Sequence, residues 1–71
     1  MNRTRVTSSS LASIGYRIGE RTLEVEFTQG AVYQYLDVPE PVFEAFMATE
    51  SKGSFFNEEI KNHYAFRRVR R

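Results

Sequence analysis

The sequence predicts an α+β fold: a three-stranded antiparallel meander over residues 11–18, 22–27 and 31–38, covered on one face by two C-terminal helices near 40–49 and 51–61. Three observations carry this reading. Apolar and polar residues alternate along Ile14–Ile18 and Leu23–Phe27, the period of a half-buried strand. A turn at Gly30 then leads into a tyrosine-bearing run, Val32-Tyr-Gln-Tyr-Leu36. After Pro39 the period changes from two to about 3.6, that of a helix packed along one side.

Taken in order, residues 1–9 are polar and unpatterned apart from Val6, so they are expected to be frayed or to join the sheet late. Leu11, Ile14, Tyr16 and Ile18 supply the first strand. Gly19-Glu20-Arg21 is short enough for a hairpin with Gly at its first position. In the second strand Leu23, Val25 and Phe27 share one face, and Glu24 and Glu26 share the other. The hairpin that follows has two registers. A two-residue Gln29-Gly30 loop sets Tyr33 and Tyr35 beside Glu24 and Glu26. A three-residue loop, Thr28-Gln29-Gly30 with Gly in a left-handed bulge, pairs Phe27 with Ala31 and turns both tyrosines toward Leu23 and Val25. One residue of slip reverses every side chain. The bulged register buries two aromatics rather than Gln34 and is favoured on area. Either register requires a positive φ at Gly30.

Pro39 lacks an N–H and ends strand pairing. Glu40-Pro41 opens a helix, with Pro suited to the first turn and an acid near the positive end of the dipole. Val42, Phe43, Phe46 and Met47 form its apolar face. Ser51 is the expected cap of a second helix through Ile60, with Phe56 and Ile60 one turn apart. Gly53 in its first turn costs helix stability, which a close approach by another element would explain. The expected core is Leu23, Val25, Phe27, Val38, Val42, Phe43, Phe46, Phe56 and Ile60. Tyr64, Phe66 and Val69 thread between arginines in what reads as a basic tail over 67–71.

A chain of 71 residues accommodates one domain, and one this short buries only about 60% of its unfolded surface. Six Phe and four Tyr must supply much of the core, since there is no Trp. With no cysteine, disulfides, thiolate nucleophiles and cysteine zinc sites are excluded, and a reducing, cytoplasmic setting is expected. Nothing resembles a membrane span or a signal-peptide h-region. The formal net charge is +1, but its layout is uneven. Arg3, Arg5, Lys61, Arg67, Arg68, Arg70 and Arg71 lie toward the ends, leaving Arg17, Arg21 and Lys52 against nine carboxylates between.

Leu23-Glu-Val-Glu-Phe27, Gly30, Tyr33-Gln-Tyr35, Val38-Pro39, Ser51-Lys-Gly53-Ser-Phe55-Phe56-Asn57 and Ile60-Lys61 together resemble the KTSC family. These are short bacterial domains named for a segment at the C-terminus of some lysyl-tRNA synthetases. The resemblance runs from about Val6 to Val69. It implies an RNA-binding role and brings no catalytic residue with it.

The residues themselves point away from catalysis. His63 is the only histidine, and no nucleophile elbow, phosphate loop or metal-ligand spacing is present. The acid pairs Glu24/Glu26 and Glu58/Glu59 read as solvated faces. The expectation is therefore a monomer that is no enzyme and needs no cofactor or metal. Two classes of partner remain. In one, Tyr33 and Tyr35 offer ring faces to unstacked RNA bases while Arg67, Arg68, Arg70 and Arg71 meet phosphates. In the other, the helices or a sheet edge dock on a partner protein, and the tyrosines are core residues with hydroxyls at the boundary. Placement of the arginines relative to the tyrosine face discriminates between them.

Overall fold

The central hairpin adopts the bulged register. In the computed structural model, which describes residues 3–70, strands β1 (Arg3–Arg5), β2 (Leu11–Arg17), β3 (Thr22–Phe27), β4 (Val32–Tyr35) and β5 (Phe66–Arg70) form one antiparallel sheet in sequence order. Leu23 pairs with Tyr35 and Val25 with Tyr33, and the Phe27 amide donates to the Ala31 carbonyl at 2.9 Å. Gly30 has φ 105°, the conformation a Cβ resists.

The class is as expected, but the sheet has five strands rather than three. Arg3–Arg5, expected to be frayed or to join the sheet late, pairs with Ser13–Gly15. The expected tail is an edge strand that pairs with β4. Neither segment carries apolar alternation strong enough to show in sequence, because arginine hydrogen bonds hold them in place. The expected 31–38 strand is shorter, ending at Tyr35; Asp37 then turns the chain with φ 59°.

Helix α1 (Glu40–Ala48) follows Pro39, with Pro41 in its first turn. Its C-terminal end is met by the Lys52 ammonium, which donates to the carbonyls of Met47 and Thr49 at 3.2 and 2.6 Å, a cation where the dipole favours one. Helix α2 has one α-helical stretch, Lys52–Phe55, that widens into a π-helical turn, Phe56–Ile60. Ser51 stands at its N-cap position but makes no side-chain capping bond. A Cβ at Gly53 would lie 3.4 Å from Ser10 Oγ, so the loop before β2 does approach that first turn closely.

Both helices cover one face of the sheet. Phe46, fully buried, stacks on Phe55 with centroids 5.3 Å apart. Leu11, Ile14, Leu23, Val25, Tyr35, Val38, Phe56 and Ile60 complete the core, while Phe27, Val42 and Phe43 pack at its margin only partly buried. Leu11 reaches the core through a register shift between Leu11 and Ser13. At the far end Tyr16 stacks on Phe43 at 4.7 Å and donates its hydroxyl to the Val38 carbonyl.

The other sheet face has no helix, and arginines roof it. Arg3 pairs with Glu24 and donates to Ser13 Oγ at 3.0 Å, whose hydroxyl donates to Glu26 at 2.7 Å. From the opposite edge Arg70 donates to Glu26 at 3.0 Å. Gln34 donates to Glu24 at 2.8 Å and accepts from Arg67 at 2.9 Å. Glu24 is left 7% exposed on a face without tertiary cover.

Candidate nucleic-acid interface

The bulged register decides where the tyrosines go. Because side chains alternate along a strand, Tyr33 and Tyr35 stand on the helix side and Glu24 and Glu26 on the other. The carboxylates that would repel a phosphate backbone are therefore screened from the tyrosines by the sheet itself.

The two tyrosines are not equivalent. Tyr35 is 3% exposed, with its ring edge-on to Phe56 at 5.5 Å. Burial, and to a lesser degree the neighbouring Tyr33, pushes its hydroxyl up to about 12, so it stays protonated at neutral pH. Tyr33 is half-buried, 6.4 Å from Tyr35, edge-on to Phe27 at 5.7 Å and tilted against Phe66 at 5.5 Å. Its hydroxyl accepts two bonds from the Arg68 guanidinium, at 2.6 and 3.1 Å. The guanidinium carbon is 5.3 Å from the ring centroid. With both bonds on the hydroxyl, the cation sits toward the phenolic end rather than over the ring centre.

These rings floor a cleft of about 470 Å³ between β4, β5 and the π-helical turn, within the usual size of a small-ligand site. Phe27, Tyr33, Tyr35, Phe56 and Phe66 give it aromatic walls, and Gln29, Asn57, Lys61 and Asn62 bring polar groups to it. Among the described residues no carboxylate lines it. A hollow of about 530 Å³ between Arg5–Thr7 and the end of α1 is larger, but it has no aromatic ring and includes Glu50. The aromatic cleft is the better candidate on chemistry. The π-helical turn supports that choice, because such turns recur at functional sites, and Phe56 and Asn57 lie on it.

Of the arginines expected to act with the tyrosines, Arg68 is the one among the described residues that is bonded to a tyrosine. Arg67 and Arg70 lie on the helix-free face, bonded to Gln34 and Glu26, and Arg71 lies outside the described residues. Phe66, Asn57, Lys61 and Asn62 were not expected at the tyrosines. Strand alternation puts Phe66 and Arg68 on the tyrosine side, and a register shift between Val32 and Tyr33 interrupts that alternation before Arg70. His63 is exposed, its Nε2 2.9 Å from the Glu58 carbonyl oxygen. No helix among the described residues is long and apolar enough to cross a membrane.

Known proteins resemble the chain along nearly all of its length. The chain is 43% identical over 70 residues to a protein of Stutzerimonas stutzeri, covering 97% of this chain and 99% of that one. A lysine–tRNA ligase of Nostoc punctiforme is 36% identical over 61 residues, which is 86% of this chain but only 11% of the ligase. The crystal structure of a KTSC domain protein from Yersinia pestis superposes with a TM-score of 0.91 at 45% identity, covering 96% of each chain. The KTSC domain profile matches residues 7–64, and Tyr33, Tyr35, Gly53, Phe56, Asn57 and Lys61, on which the resemblance in sequence rests, all line the aromatic cleft. The chain belongs to the KTSC domain family.

Proposed function

We propose that the domain binds single-stranded RNA without catalysing a reaction, holding an unstacked base in the aromatic cleft with Arg68 and Lys61 toward the phosphates. The observation that carries this is a cleft walled by aromatic rings and lined by Lys61, with Arg68 bonded to the hydroxyl of one of those rings and no carboxylate among the described lining residues. Aromatic faces stack bases whatever their sequence, and cations nearby hold the backbone. A segment similar to this chain lies within a lysine–tRNA ligase, a protein whose name gives it an RNA substrate, and that supports the reading. The proposal includes a cytoplasmic monomer. Both sheet edges carry arginines, so edge-to-edge pairing of two copies would bring like charges together. A partner protein is the second reading, favoured by the full exposure of β5 along an open sheet edge, where a strand of another chain could add.

Fluorescence anisotropy with a mixed-sequence single-stranded RNA tests the first reading. At about 50 mM salt binding is expected, and Tyr33→Ala should cost roughly 1–3 kcal/mol with the salt slope unchanged, because stacking releases no counterions. Changing Arg68 and Lys61 to Gln should flatten log K against log salt by about 1.4, the effect of two phosphates on a single strand. Absence of binding at that salt overturns the proposal and leaves the protein partner.

A further inference from the structure

We infer that Phe66 is the residue on which the bound base stacks. This rests on the reading of the cleft as an RNA site and names the ring that carries it. A stacking platform must present a ring face to solvent before its ligand arrives, and the aromatic residues of the cleft differ in that respect. Tyr35 and Phe56 are 3% and 6% exposed, so their rings belong to the core. Tyr33 and Phe27 are half-buried; they meet edge to face at 5.7 Å, and Phe27 meets Phe56 in the same way at 5.4 Å. Phe66 is 56% exposed, and of the six Phe and four Tyr it is the one that is exposed rather than buried or half-buried.

Topology leaves one side of that ring open. Phe66 pairs with Tyr35 across the ladder, and the rings of Tyr33 and Tyr35 lie 5.5 and 5.7 Å from it, inclined by 36° and 37°. Both tyrosines are on β4, and β5 ends the sheet, so no strand among the described residues flanks the other side. A base laid there extends the aromatic group outward and removes from water a phenyl surface that the fold leaves exposed. Arg68 stands two residues along β5 on the same side, about 6.6 Å further, within reach of a phosphate next to the stacked base. Its guanidinium gives two bonds to the Tyr33 hydroxyl and keeps further donors for that phosphate.

The chain has no Trp, so Phe66→Trp places a single fluorescent indole at the platform. Mixed-sequence single-stranded RNA added at about 50 mM salt should bind this variant at least as tightly as the parent and quench the indole, because a stacked base quenches its emission. Ile18→Trp, at another exposed apolar position that lines a different hollow with Tyr16 and Pro39, should keep its emission. An abasic strand of the same length should leave the Phe66→Trp emission unmoved. Phe66→Leu, which keeps apolar bulk but removes the ring face, should weaken binding about fivefold or more with the salt slope unchanged. Parent-like affinity of Phe66→Leu overturns the inference while leaving RNA binding in place, as does an indole at position 66 that RNA leaves unquenched or that the abasic strand or the Ile18→Trp control matches. Absence of RNA binding by the parent chain overturns the RNA reading as well.

Discussion

Gly30 shows how far a single residue determines the site. With φ at 105° it makes the three-residue loop possible, the loop sets the β3–β4 register, and the register sends Tyr33 and Tyr35 to the helix side. Gly30→Val should therefore be less stable than Gly30→Asn by about 1 kcal/mol or more, since a β-branched residue resists positive φ far more than Asn does. Denaturant midpoints compare the two, and equal midpoints would contradict this assignment. Sequence reading was less successful at the preceding hairpin, where Gly19 was the natural candidate for a special conformation. The chain instead forms a 3₁₀ turn over Ile18–Glu20 and puts Arg21 in the left-handed region, φ 52°. Backbone bonds explain how Arg21 is held there: its amide donates to the Ile18 carbonyl at 3.2 Å, and its carbonyl accepts from Val38 at 2.8 Å.

At the scale of elements, legibility follows what holds each one in place. β2, β3 and α1 are anchored by apolar side chains, so Ile14, Leu23, Val25 and Phe46 announced them in the sequence. The edge strands are anchored through polar bonds across the helix-free face, from Arg3 on one side and Arg67 and Arg70 on the other, meeting at Glu24, Glu26 and Gln34. Such a clasp has no period to read, and the same two glutamates looked like a solvated face. It does have a pH signature. Burial would raise Glu24, but hydrogen bonds from Gln34 and Arg3 outweigh it and hold its carboxyl below the ordinary 4.5. Glu26 is lowered chiefly by the Ser13 hydroxyl, with Arg3 and Arg70 adding to it against partial burial. A carboxylate with a lowered folded value contributes stability that is fully present above the ordinary glutamate range and lost as pH falls through the folded value. The chain should thus lose melting temperature below about pH 4.5, and Glu24→Gln with Glu26→Gln should lose less over the same interval. Parallel losses in parent and variant would show that the clasp contributes nothing.

For the molecule as a whole, the sheet separates two chemistries. Its helix-free face carries charges that largely satisfy one another. Its helix side carries the aromatic cleft, where Arg68 meets Tyr33 and Lys61 has no ion-pair partner among the described residues. The sequence made the tyrosines, the helices and the basic ends visible. It could not show that β5 would bring Phe66 and Arg68 to the tyrosines while turning Arg67 and Arg70 away, because alternation separates Arg67 only once the segment is a strand, and a bulge then puts Arg70 on the side of Arg67. The central claim is that the cleft, and not the arginine-roofed face, meets RNA. Amide NMR shifts of the labelled chain, followed as a short single-stranded RNA is added at about 50 mM salt, test it most directly. Perturbations should concentrate at Tyr33, Asn57, Lys61, Phe66 and Arg68. Shifts confined to Arg3, Glu24, Glu26, Arg67 and Arg70, or no shifts at all, would contradict it.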